Sequence, residues 1–171
     1  MNVEPTSLII TLSGDDRPGI LDDIAGVIQR NSGRIAGLRS VEAAGQFAML
    51  ITVRIEPDAV EALSHQLREL TNARGLHSTV ARASDSPCAR QHQFRLVARG
   101  DDHVGVLKKL SHLLRVLSIN IEEIVTETGR DGRVTMTLTL GVPRECPVSK
   151  LKEFLTQLLG SISMEWELVP A

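Results

Sequence analysis

The spacing of apolar residues changes several times along the chain, and each change marks an element. Residues 7–13, S-L-I-I-T-L-S, form a short apolar run bounded by polar residues and Gly14, which suits a strand buried on at least one face. Ile20, Leu21, Ile24, Val27 and Ile28 then recur at helical spacing, with Asn31, Ser32 and Gly33 as a stop, predicting a helix over about residues 18–32. Pro18 suits a first helical turn, because its missing N–H would be unpaired there, and Asp15 and Asp16 stand where caps are expected. Residues 34–44 and 46–55 read as a hairpin turning near Gly45, and Pro57 ends it. Val60, Leu63, Leu67 and Leu70 mark a second amphipathic helix that stops near Arg74 and Gly75. Residues 76–83 close the set as a strand. The order β-α-β-β-α-β predicts an α+β, ferredoxin-like unit: a four-stranded antiparallel sheet with both helices on one face.

The pattern then runs a second time. Residues 14–21 read G-D-D-R-P-G-I-L, and residues 100–107, 86 positions later, read G-D-D-H-V-G-V-L. The second copy predicts a strand at 93–99, a helix at 104–117, a hairpin of 119–128 and 133–142 turning on Gly129-Arg130-Asp131-Gly132, a helix at 148–159 and a strand at 162–169. Ile24 pairs with Leu110, Val27 with Leu113, Ile28 with Leu114, Ser32 with Ser118 and Ile35 with Ile121 at that offset; after the longer second hairpin it becomes 87, matching Met49 with Met136. Two tandem domains follow, residues 1–84 and 92–171, with a linker at 85–91 in a polar, proline-containing stretch. Each sheet keeps an open face, so the copies are expected to join edge to edge or face to face, with a ligand crevice at their junction.

Composition narrows the function. Only 2% of residues are aromatic and none is Tyr, so the core must be aliphatic and base-stacking side chains are scarce. Net charge is −2, and residues 1–86 hold 8 Arg and no Lys against 11 acids, while residues 87–171 hold 11 basic residues against 10 acids. Neither half carries the concentrated cationic face of a DNA-binding module; only Lys108, Lys109 and Arg115 cluster, as a solvated helix face would. No direct nucleic-acid partner is expected. Cys88 and Cys146 lie in unlike contexts and are expected to be reduced. The opening M-N-V-E-P-T-S has no positive region before an apolar run, and no segment approaches the roughly 18 apolar residues of a span, so a cytoplasmic protein without membrane partners is expected. Histidines 65, 77, 92, 103 and 112 form no metal-ligand spacing, so no metal is expected. Adjacent Asp residues on a turn point apart, and no nucleophile, phosphate-loop or dinucleotide motif accompanies them, so neither catalytic residues nor a cofactor are expected. Trp166, between Glu165 and Glu167, is expected on the core side of the last strand.

The strand ending in G-D-D-R-P-G-I-L, the helix after it and the strand opening at Arg34-Ile35 resemble the ACT domain, a small regulatory module that commonly binds amino acids. The second copy matches through Asp101-Asp102-His103-Val104-Gly105-Val106-Leu107 and Asn120-Ile121, so the resemblance covers roughly residues 7–170. Two such copies in about this length resemble the glycine cleavage system transcriptional repressor family. That resemblance implies a non-enzymatic negative regulator of transcription that acts through a DNA-binding activator protein, senses a small amino acid such as glycine, and is compatible with homo-oligomerisation. It also implies a ligand held by Asp15, Asp16, Arg17, Gly19, Ile20 and Leu21 of one turn, by Asp101, Asp102, His103 and Gly105 of the other, and by Asn120 and Ile121 at the start of a neighbouring second strand. The physical basis is modest: helix N–H groups suit a carboxylate, and a nearby Asp suits an ammonium. Plain capping explains the Asp pairs as well, and Gly19 and Gly105 serve either close packing or a backbone open to ligand. His103-Val104 in place of Arg17-Pro18 leaves the second turn less pre-set. A free-standing amino-acid sensor for an enzyme and a structural oligomerisation module are the alternatives.

Overall fold

The computed structural model describes residues 4–83 and 91–171, which form two compact units. The first runs β1 (Thr6–Asp15), α1 (Ile20–Arg30), β2 (Arg34–Ala43), β3 (Gln46–Ile55), a 3-10 turn (Pro57–Ala59), α2 (Val60–Arg74) and β4 (His77–Arg82). The second repeats the order as β5 (Gln91–Asp101), α3 (Val106–Val116), β6 (Asn120–Thr128), β7 (Arg133–Pro143), α4 (Val148–Gly160) and β8 (Glu165–Pro170). Each sheet is antiparallel, ordered β2-β3-β1-β4 and β6-β7-β5-β8, so the strand before each repeated turn is central. Residues 85–90 of the expected linker, Cys88 among them, lie outside the described residues, and Gln91 is already the first residue of β5.

Alternation places one row of each strand in the core. Leu8, Ile10 and Leu12 of β1 face Val53, Ile51 and Met49 of β3 in register, and all six are buried with Ile20, Ile24, Val27 and Ile28 of α1 and Leu63 and Leu67 of α2. Both helices therefore cover the same sheet face. In the second unit Leu96, Ala98, Leu138 and Met136 meet Leu110, Leu114, Leu151 and Leu155 in the same way. The core is aliphatic apart from Phe47, and Trp166 packs half-buried against the second unit's core from β8. Cys146 is a free, half-buried thiol. Among the described residues no helix is long and apolar enough to cross a membrane.

Each helix ends in one motif. A left-handed residue follows the last turn, and the N–H after it reaches back five residues to close it: Gly33 to Ile28 O (2.9 Å), Leu76 to Thr71 O (2.8 Å), Ile119 to Leu114 O (2.8 Å) and Met164 to Leu159 O (3.0 Å). The left-handed residues are Ser32, Gly75, Ser118 and Ser163. The stop expected at Gly33 is thus displaced by one residue: Ser32 takes the positive φ of 58°, while Gly33 is where a Cβ would sit 2.9 Å from Ile28 Cγ2 and 3.1 Å from Val53 Cγ1.

Three other expectations change, while both hairpins turn where the spacing places them. The first helices of the two units begin at Ile20 and Val106, not at residues 18 and 104, because the turn uses Pro18-Gly19 and Val104-Gly105 before the helix starts. Leu21 faces away from the core, 45% exposed, and Val104 is fully exposed. The last strand starts at Glu165 rather than residue 162, since Ser163, at φ 56°, still belongs to the turn that ends α4. The first hairpin closes on Ala44-Gly45, both at positive φ (53° and 77°), a two-residue type I′ turn held by the Gly45 N–H on Glu42 Oε1 (2.8 Å). The second turns over Gly129 to Gly132, with the Gly129 N–H on Arg133 O (2.7 Å) and the Arg133 N–H on Asp131 Oδ1 (3.1 Å).

Candidate functional site

The repeated turn joins a central strand to a helix over the core, so its backbone is pinned at both ends. In unit one β1 runs on to Asp15, paired in register with Gln46, whose side-chain amide also donates to the Asp15 carboxylate. Asp16 N–H donates to Gly45 O (2.9 Å), tying the turn to the hairpin tip. Neither Asp caps α1. The N-cap is Gly19, at φ 92° and without a side-chain cap bond, and the Asp23 N–H makes the first intrahelical bond to its carbonyl (2.9 Å). The capping role expected for Asp15 and Asp16 is therefore absent, because the strand holds the first and a left-handed glycine stands between the second and the helix.

Unit two repeats this geometry. Gly105 is the N-cap of α3 at φ 86°, again with no side-chain cap bond, and the Lys109 N–H reaches its carbonyl (3.0 Å). A Cβ added at Gly19 or Gly105 would meet nothing within 4 Å, so close packing does not explain either glycine; the backbone torsion does. Close packing falls instead on the first glycine of each motif. A Cβ at Gly14 would lie 2.6 Å from Leu76 Cδ2, and one at Gly100 would lie 2.7 Å from Met164 Cγ and 3.1 Å from its Cα.

The two helix ends differ in charge. Helix α1 carries Asp22 and Asp23 in its first turn, and Asp23 pairs with Arg74 of α2 (3.0 Å). Arg17, half-buried, donates to Arg74 O at the end of α2 (3.3 Å), so turn, α1 and α2 are latched together. Sequence reasoning missed Arg74, which lies 57 positions from Arg17 and meets it only through the packing of α2. Helix α3 has no acid in its first turn; Lys108 and Lys109 stand there instead, so its N-terminus is the more favourable for an anion.

Asp15, Asp16, Asp101, Asp102, His103, Gly19 and Gly105 are exposed. Ile20 is buried in the core, which leaves its backbone N–H as the group it can offer, whereas the Leu21 side chain is exposed. Asn120, exposed, and Ile121, half-buried, line a cavity of about 410 Å³ with Ser111, Leu114, Arg115, Ser118 and Ile119. That cavity is at the C-terminal end of α3, so within unit two the 11-residue helix, roughly 16 Å long, separates it from Asp101 to Gly105. Among the described residues no group of three His, Cys, Asp or Glu could hold a metal ion.

The family model described as ACT domain matches residues 6–81. Among solved structures, an unknown protein from Galdieria sulphuraria is 21% identical, with a TM-score of 0.82 and coverage of 98% of this chain and 99% of that one. A candidate glycine cleavage system transcriptional repressor is 19% identical, with a TM-score of 0.76 and the same coverage, 98% and 99%. No curated protein matches the sequence. At these identities the likeness to the solved structures is one of fold.

Proposed function

We propose that the protein is a cytoplasmic, non-enzymatic regulator that binds a small amino acid at the repeated turn, since residues 6–81 match the ACT domain family model and residues 91–171 repeat the same strand order. The supporting observation is that both turns end on a left-handed glycine in open space, where a helix begins without a side-chain cap a few residues after an exposed Asp pair. A carboxylate takes the N–H groups and an ammonium takes an Asp. Glycine is the ligand this reading names, because it needs nothing more than those two groups. The fold shared with a candidate glycine cleavage repressor over 98% of the chain supports a role in repressing glycine cleavage genes. The protein acts there through a DNA-binding activator, since a net charge of −2 suits protein contact better than phosphate contact.

Calorimetric titration with glycine and a panel of other amino acids tests the ligand. Heats that saturate for glycine and weaken in both Asp16→Ala and Asp102→Ala support the reading; flat heats for every compound with folded protein leave the oligomerisation module in its place. Co-purification with a DNA-binding activator, altered by glycine, tests the partner. A tight, sequence-selective gel shift by the isolated protein at physiological salt would overturn it, and recovery of an enzyme instead would mark a sensor for that enzyme.

A further inference from the structure

The open face of unit two carries a cluster that unit one lacks. Arg99 lies between buried Ala98 and Gly100 on β5, so its side chain faces away from the helices. In register across the sheet, Arg99 pairs with Thr135 of β7 and Thr135 with Glu127 of β6, which sets the Arg99 and Glu127 backbones roughly 10 Å apart. Arg133 shares the face with Thr135, two residues along β7. Arg99, Glu127, Thr128, Asp131, Arg133 and Thr135 border a cavity of about 750 Å³ at the β6–β7 hairpin. Among the described residues Arg99, Glu127 and Arg133 form no ion pair. Asp131 differs, because its carboxylate is engaged by the Arg133 N–H inside the turn.

We propose that this cavity is a binding site for an acidic amino acid. Two guanidinium groups and one uncommitted carboxylate match a ligand with two carboxylates and one ammonium, and arginine's fork suits carboxylate oxygens in pairs. Its volume falls within the range of small-molecule pockets. The fold does not demand the cluster: the matching positions of unit one are Ser13 for Arg99, Val41 for Glu127, Gln46 for Arg133 and Ala48 for Thr135, all uncharged. The site adjoins the second repeated turn, with Arg133 in register with Asp101, but its lining takes no residue of that turn.

The test is titration of the full chain with glutamate, aspartate, succinate, glycine and inorganic phosphate, followed by amide chemical shifts. Saturable glutamate or aspartate binding with shifts at β5 and the β6–β7 hairpin is expected. It should weaken roughly tenfold or more in Arg99→Gln and Arg133→Gln, as loss of a charged hydrogen bond implies. Glu127→Gln should erase the preference for glutamate over the ammonium-free succinate. Because all three side chains are exposed, the variants should keep the wild-type melting temperature. Flat titrations, glutamate shifts confined to the repeated turns, unchanged affinity in both arginine variants, or phosphate binding as tight as glutamate would each overturn the proposal.

Discussion

Two glycines five positions apart in each copy of the motif answer to different constraints. At Gly100 an added methyl would press on the Met164 backbone as well as its side chain, whereas at Gly14 the nearest atom, Leu76 Cδ2, ends a flexible side chain. Gly14 also sits at φ 157°, which alanine adopts only with strain, so both Gly14→Ala and Gly100→Ala should lower the melting temperature, the first through its torsion and the second through the Met164 backbone; wild-type melting of either variant would overturn its account. Gly19→Ala meets open space and should cost about 1 kcal/mol through its torsion alone, read by denaturant unfolding. Asp16→Ala removes no cap bond and should change stability by no more than about 0.5 kcal/mol, so any loss of ligand affinity would report on binding. The sequence located both glycines and both Asp pairs but misassigned the caps. What decides a cap is where the strand lets go, and β1 holds Asp15 through Gln46, a partner 31 positions away.

At the scale of elements, helix interiors were legible and helix ends were not. Leu63 and Leu67 are buried where their spacing puts them, because one face of α2 must meet the sheet. Three of the four helices among the described residues end on a left-handed serine, a residue whose propensity does not announce that torsion. Ser163→Gly should stabilise unit two by about 0.5 kcal/mol, the relieved strain outweighing glycine's added unfolded-state freedom; a fall in the denaturation midpoint would count against strain there. The first turns differ in a way that function can feel. If a carboxylate rests on the α3 N-terminus, Lys108→Glu should reduce amino-acid affinity about two- to fivefold at low salt, with the difference shrinking as salt is added.

For the molecule as a whole, the 86-residue repeat announced two domains, and the two separate buried clusters follow from it. Leu67→Ala should cost about 2–5 kcal/mol, with hydrogen-exchange protection lost in β1 and β3 while β5 and β7 keep theirs. The cluster at Arg99, Glu127 and Arg133 was not legible: its members are spread over 35 positions and meet only through strand register. The left-handed serines set the limit of what the two halves share. Ser32 and Ser118 occupy matching positions, at φ 58° and 56°, and carry the same costly torsion. The charges at the second hairpin have no counterpart in the first unit, so the halves hold their joints in common and part company at that surface, where a substitution has no torsion to satisfy.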